Sequence, residues 1–419
     1  MKYLTKFLLY RDIIKALIAG TAAVPIIILL ILGIGYASGL NPYFILFPIL
    51  VTNIIGLFIH PKSTIFYNIG VSILVLMFSY NDVIGIDSGY LQTFIIFAIP
   101  ALFFILFSLL PMHIPILPKR VIAGIAFGIG ALIIIKQIPI AFGYESPDGS
   151  FTMDYEESSF LSNSSLRNWI QLGLALVIPV IALIGRKYKK SQIALLAAMV
   201  VTLLLGYLLG YDTSSLELES FTFSKSFQLD WKLSPEILFT AIQSGITVTI
   251  IMLLSFWMDF STLNYDRQGN KKTIKKSLLT VGIGNLVGGI FGIMPVNVSL
   301  VETVSIRSLG GYNWLSKLPI IIVLLYVAII GLPDINVPLF AFSGVLIYLG
   351  CLLIIQSWNI LKELLHIDYV FIFLIGLIIL LQDLTTGFIV AMLYAGIVYL
   401  LNVGIKRKEK SQSIEQEEE

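Results

Sequence analysis

VGIGNLVGGIFGIMPVNVSLVETVSIRSLGG, residues 281–311, contains the change of character on which the fold turns. Its first half is apolar, glycine-rich and uncharged, as a helix crossing a bilayer must be. After Pro295 the chain becomes polar without becoming a loop. Asn297, Ser299, Glu302, Thr303, Ser305 and Arg307 lie among Val, Leu and Ile, and Gly310-Gly311 closes the segment. Such a segment is too short and too polar to cross a roughly 30 Å hydrocarbon core alone. A carboxylate inside a span costs several kcal/mol, on the order of 3, unless it is neutralised or faces water. The stretch therefore reads as one full span followed by an interrupted segment lining a cavity.

A second interrupted segment lies at Lys62–Tyr80, where Ser63, Thr64, Tyr67, Asn68, Gly70 and Ser72 break the apolar run. Around these two, apolar runs of spanning length recur along the chain. The reading gives fourteen segments, at 13–35, 41–59, 64–79, 91–110, 121–139, 168–185, 192–209, 236–258, 273–291, 298–310, 317–332, 337–356, 368–381 and 385–403. The two short segments are the third of the first seven and the third of the last seven. Matching interruptions in two halves point to a transporter binding site. Half-helices that begin near the midplane offer free N–H groups and partial positive charge to a solute.

Composition agrees with that reading: 57% of the 419 residues are hydrophobic and 12% charged, and mean hydropathy is +0.93. A soluble domain needs about 25% charged residues to cover its surface. Of the 27 Lys and Arg residues, all but Lys136, Arg167, Lys225 and Lys232 fall in segments of one sidedness. By the positive-inside rule that side is the cytoplasm. The opposite loops are acidic, with Glu145, Asp148, Asp154, Glu156 and Glu157, then Asp212, Glu217, Glu219 and Asp230. Both termini are thus expected in the cytoplasm of a multi-pass protein of the cell membrane. Met1–Asp12 lacks a small-residue cleavage site, so the first apolar run reads as the first span rather than a signal peptide.

The organisation expected is a cytoplasmic N-terminus (1–12), a first repeat (13–209), an extracellular connection (210–235), a second repeat (236–403) and a disordered charged tail (404–419). The outer loop 143–166 is polar. Residues 216–233 alternate apolar and polar with period 2, which predicts extended backbone.

Candidate site residues follow from the interrupted segments. Backbone N–H groups at Tyr67, Asn68 and Ile69, and at Val298, Ser299 and Leu300, with Asn297 and the Ser299 hydroxyl, are expected to hold the solute. Glu302 is the buried carboxylate beside them. Asp259, in LLSFWMDFSTLN (253–264), is a second coupling candidate, although it could simply end its helix on the cytoplasmic side. Lys136 is expected to snorkel to the outer surface. His60, His113 and His366 fall at inner boundaries, where interfacial anchoring is the plain reading. The single cysteine, Cys351, excludes a disulfide framework. No Ser-His-Asp set, phosphate-binding glycine loop or metal spacing occurs, so no enzyme, cofactor, metal or nucleic-acid partner is expected.

Several stretches resemble the SulP family of inorganic-anion transporters over roughly residues 10–403. They are AGTAAVPIIILLILGIGYASGLNP (19–42), IPILPKRVIAGIAFGIGALIIIKQIPIAFGYE (114–145), residues 281–311 quoted above, and QDLTTGFIVAMLYAGIVYLL (382–401). The resemblance implies an all-α polytopic membrane protein with seven-plus-seven inverted repeats and a core domain moving against a gate domain. It also implies a site between the third and tenth segments and a homodimer in the lipid bilayer.

Three departures stand out. Family members usually end in a regulatory STAS domain, whereas this chain ends soon after its last span. Phe66-Tyr67-Asn68 replaces the family's glycine-proline pair. Glu302 stands where the family often has arginine, and with Pro295 and Asn297 it is similar to the nucleobase–cation symporters, which also use an acid near the place of Asp259. The implied function is secondary transport of a small inorganic anion such as sulfate or bicarbonate, by H⁺ or Na⁺ symport or by exchange. Proton-coupled uptake of a neutral solute such as a nucleobase stays open, as does a non-transporting membrane scaffold or sensor.

Overall fold

The structure, a computed structural model, describes residues 12–25, 27–28, 31, 42–61, 63–69, 90–110, 119–143, 165–188, 191–211, 234–262, 271–290, 295–330, 338–362, 366–382 and, in part, 386–398. The 216–233 loop and the tail after Gly404 lie outside these residues, as does nearly all of the 143–166 loop.

Outside the two interrupted segments, the apolar sequence of each expected span is helical where it is described, because a chain in lipid must satisfy its own backbone groups. After a helical stretch over 12–25 come α1 (Pro42–Ile59), α2 (Tyr90–Leu109), α3 (Lys119–Ala141), α4 (Leu166–Lys187) and α5 (Ser191–Leu208). The second half supplies α6 (Pro235–Thr262), α7 (Lys271–Ile290), α8 (Leu300–Ser308), a 3₁₀ turn (Trp314–Lys317), α9 (Leu318–Ile330), α10 (Leu339–Leu361) and α11 (His366–Leu381). Among the described residues four stretches, Arg120–Ala141, Leu166–Lys187, Leu238–Trp257 and Phe340–Leu361, are long and apolar enough to cross a membrane on their own.

Both interrupted segments begin in extended backbone, and the third is described only as far as Ile69. Each contributes a three-residue strand, β1 (Phe66–Asn68) and β2 (Asn297–Ser299). The strands pair antiparallel, with Phe66 opposite Ser299, Tyr67 opposite Val298 and Asn68 opposite Asn297. Only from Leu300 does the tenth segment become helical, as the nine-residue α8. Extended backbone buried away from water must still find partners, and the neighbouring interrupted segment provides them. The two interrupted segments thus adjoin edge to edge.

The chain divides into two compact units that do not follow the sequence halves. The larger comprises residues 1–114 and 135–348, the smaller 115–134 and 349–419. Within the larger unit α7 packs against α1 and α2, α6 packs against α2, and α4 pairs with α5. Small residues permit the closest approaches. A Cβ at Gly284 would stand 2.4 Å from Thr52 Oγ1, and one at Gly282 would stand 2.9 Å from the Ala101 carbonyl oxygen. The strand pair is held in this unit, with β1 against α1 and β2 against α6 and α7.

In the smaller unit Ser357 Oγ donates to the Ala123 carbonyl at 2.7 Å. Arg120 pairs with the fully buried Asp368 at 3.1 Å, and Tyr394 Oη donates to the same carboxylate at 3.1 Å.

Candidate functional site

The site is built on the strand pair, and two asparagines hold it. In α1, Asn53 accepts from the Tyr67 N–H at 3.1 Å and donates to the Tyr67 carbonyl at 2.7 Å. In α7, Asn285 accepts from the Val296 N–H at 2.6 Å and donates to the Val296 carbonyl at 2.8 Å. Each carboxamide thus satisfies both backbone groups of one residue of an interrupted segment, as one amide can. Asn53 lies in the second expected span of the first half and Asn285 in the second of the latter half. The same device therefore occurs at matching places in the two halves.

Further bonds tie α8 to the third segment. The Phe66 N–H donates to Thr303 Oγ1 at 3.0 Å, and Thr303 in turn donates to the Ser299 carbonyl at 2.5 Å. Arg307 Nε donates to Thr64 Oγ1 at 3.0 Å. Asn297 Nδ2 donates to the Met252 carbonyl of α6 at 2.7 Å, fixing β2 to that helix.

The sequence candidates come together here, in a buried polar cluster. Tyr67 and Asn297 are fully buried, as is Val298, and Asn68, Ile69, Ser299 and Glu302 are buried as well. Glu302 accepts hydrogen bonds from Asn68 Nδ2 and from Ser299 Oγ. Its place in the first turn of α8 puts the carboxyl near the positive end of that helix. Leu300 begins the same helix. Asp259 is enclosed near the end of α6 and is 8% exposed, so it is no surface helix end. It lies close enough to Glu302 for the two charges to act on one another.

Three of the backbone donors expected to hold a solute are already engaged within the protein. The Tyr67 N–H is bound by Asn53, the Ile69 N–H by Asn68 Oδ1 at 2.8 Å and the Val298 N–H by Asn297 Oδ1 at 2.8 Å. The donors that meet at Glu302 are side chains, the Asn68 amide and the Ser299 hydroxyl.

Sequence reasoning missed Asn53, Asn285, Thr303 and Lys317. The only available signal was an uncharged amide in each of two apolar spans, TNIIG (52–56) and GIGNLVG (282–288). Lys317, expected in a cytoplasmic loop, is fully buried. The 3₁₀ turn carries it inward: the turn lies so close to the first span that a Cβ at Gly20 would meet the Ser316 carbonyl at 2.1 Å.

Known proteins are similar to this chain in sequence and in fold. The bicarbonate transporter BicA of Synechocystis is 26% identical over 293 residues, 67% of this chain and 50% of that protein. BicA of Picosynechococcus is 25% identical over 349 residues, 78% and 59% of the two chains. The chain thus spans about half the length of these curated relatives. The solved transmembrane domain of a cyanobacterial BicA superposes with a TM-score of 0.67 at 22% identity, covering 91% of this chain and 98% of that one. Murine Slc26a9, an anion transporter in its inward-facing state, gives 0.65 at 13% identity, covering 93% and 68%. These structures share the fold of a multi-pass membrane protein. The family model described as the sulfate permease family matches residues 13–375, and the chain belongs to that family.

Proposed function

We propose that this protein is a secondary transporter of a small inorganic anion, bicarbonate or sulfate in class, coupled to H⁺ or Na⁺ or working by exchange. The observation that carries the reading is the convergence of the Asn68 amide and the Ser299 hydroxyl on Glu302 at the first turn of α8. Two donors beside a helix N-terminus suit an oxyanion. In the structure the Glu302 carboxylate occupies the acceptor role that a substrate oxyanion would take. A proton on Glu302 removes the repelling charge and leaves the two donors to the substrate. Asp259, buried within range of Glu302, is the second group for a coupling proton or sodium ion. Family membership and the relatives named as bicarbonate transporters support the anion class.

The carboxylate itself favours a second reading, a neutral solute such as a nucleobase hydrogen-bonded by Glu302. One experiment separates the two. Radiolabelled bicarbonate, sulfate and nucleobase uptake is measured in proteoliposomes at two external pH values, for wild type, Glu302→Gln and Asp259→Asn. Under the anion reading Glu302→Gln keeps anion binding and loses the rise in uptake at lower pH, and Asp259→Asn uncouples transport from the ion gradient. Under the neutral reading Glu302→Gln abolishes binding, because an obligatory acceptor becomes partly a donor. Variants indistinguishable from wild type in rate and pH response would defeat both.

A further inference from the structure

Behind the strand pair lies a charge that the transport site does not use. Phe66 and Asn68 project to one side of β1 and Tyr67 to the other, as alternation along a strand requires. On the Tyr67 side, Lys317 Nζ stands 5.3 Å from the ring centroid. Lys317 is fully buried, and its Nζ has no hydrogen-bond partner among the described residues. The Tyr67 hydroxyl reaches Ser277 Oγ at 3.5 Å, and Thr280 borders the same ring at Gly56. Nearby His60 also carries a buried Nδ1 without a hydrogen-bond partner among the described residues, and it feels the charge of Lys317. Two buried polar atoms without partners among the described residues thus lie within electrostatic reach of one another, one of them over the Tyr67 ring. A cation–π contact is a weak substitute for hydrogen bonds, and a buried ammonium without a partner is costly.

We propose that this pocket, with Lys317 as its charge and the Tyr67 and Ser277 hydroxyls and His60 as its polar wall, binds a small inorganic anion separate from the transported one. The inference rests on the anion reading only for the ligand class; its geometry is independent of Glu302. Lys317, Ser277 and His60 lie towards the side assigned to the cytoplasm, so the occupant comes from that compartment. Because Tyr67 forms both β1 and the pocket wall, an anion held there braces the strand that carries Asn68.

The test uses the full-length protein in detergent, with sodium chloride and sodium bicarbonate titrated against gluconate at constant ionic strength. The unfolding midpoint should rise with either small anion, as it does for any ligand that binds only the folded state. In Asn68→Ala, which weakens the transport site, the rise should persist. Adding Lys317→Met should demand an anion concentration about tenfold or more higher for the same rise, the loss of one charge-assisted contact. Lys317→Arg should keep the response. Should Lys317→Met fail to fold, Ser277→Ala and Tyr67→Phe should each weaken the anion response, and an unchanged response in both would overturn the proposal. A higher midpoint in Lys317→Met with an unchanged anion dependence would also overturn it, because the lysine would then be an empty buried charge. So would the absence of any anion response in wild type. Proteoliposome flux is read separately: transport without an anion response at Lys317 defeats only this pocket, whereas a response without flux defeats only the transport reading.

Discussion

At the scale of single residues, Asn53 and Asn285 hold backbone that nothing else would satisfy. Replacing Asn53 by Ala leaves the Tyr67 N–H and carbonyl unpaired, at about 1–3 kcal/mol for each buried group. We expect Asn53→Ala and Asn285→Ala each to lower the unfolding midpoint and to abolish uptake. Asn53→Asp, which keeps the acceptor for Tyr67 N–H, should fall between wild type and Ala; thermal unfolding with parallel flux assays measures both effects. His60 gives a pH test. Its burial, with Lys317 and then Lys276 nearby, pushes the imidazole from 6.5 down to about 4. The unfolded chain therefore takes a proton at His60 below pH 6.5 that the folded chain refuses. The neutral imidazole costs nothing above pH 6.5, and stability falls progressively as pH drops from 6.5 towards 4. The wild-type midpoint should accordingly fall more steeply than that of His60→Gln between pH 7 and pH 5. Parallel curves would show that His60 titrates normally.

At the scale of elements, the two interrupted segments act as one unit. Thr303 bonds across β1 and β2 at once, and Arg307 reaches Thr64, so α8 cannot shift without taking the third segment with it. The smaller unit depends instead on the ion pair between Arg120 at the start of α3 and Asp368 in the first turn of α11, joined by Tyr394. Breaking a fully buried pair costs about 3–5 kcal/mol. Here the Arg120 side chain keeps 27% exposure, so Asp368→Asn should cost about 1–3 kcal/mol. Thermal unfolding should show that loss, and a midpoint within error of wild type would mean that the pair contributes nothing net.

At the scale of the whole molecule, the asymmetry of basic residues makes a topological prediction. With Cys351 replaced by Ala, Ser150→Cys should react with an impermeant thiol reagent applied outside, and Lys272→Cys should react only after permeabilisation. The reverse pattern would invert the orientation. Membrane residence, helical spans and the two interrupted segments that carry the candidate site were legible from sequence alone, because lipid imposes its demands residue by residue: apolar length, few charges, and a cost for every interruption. Glu302, Asn68 and Ser299 stood out for that reason, as polar groups where polarity is costly. The tertiary structure alone decided how the interruptions are resolved. Whether Tyr67 and Val298 face a solute or a protein partner depends on Asn53 and Asn297, and no local pattern reports which acceptor lies within 3 Å of an N–H. Lys317 belongs to the same class: a lysine beside an apolar span reads as a surface charge until a turn packed against Gly20 buries it.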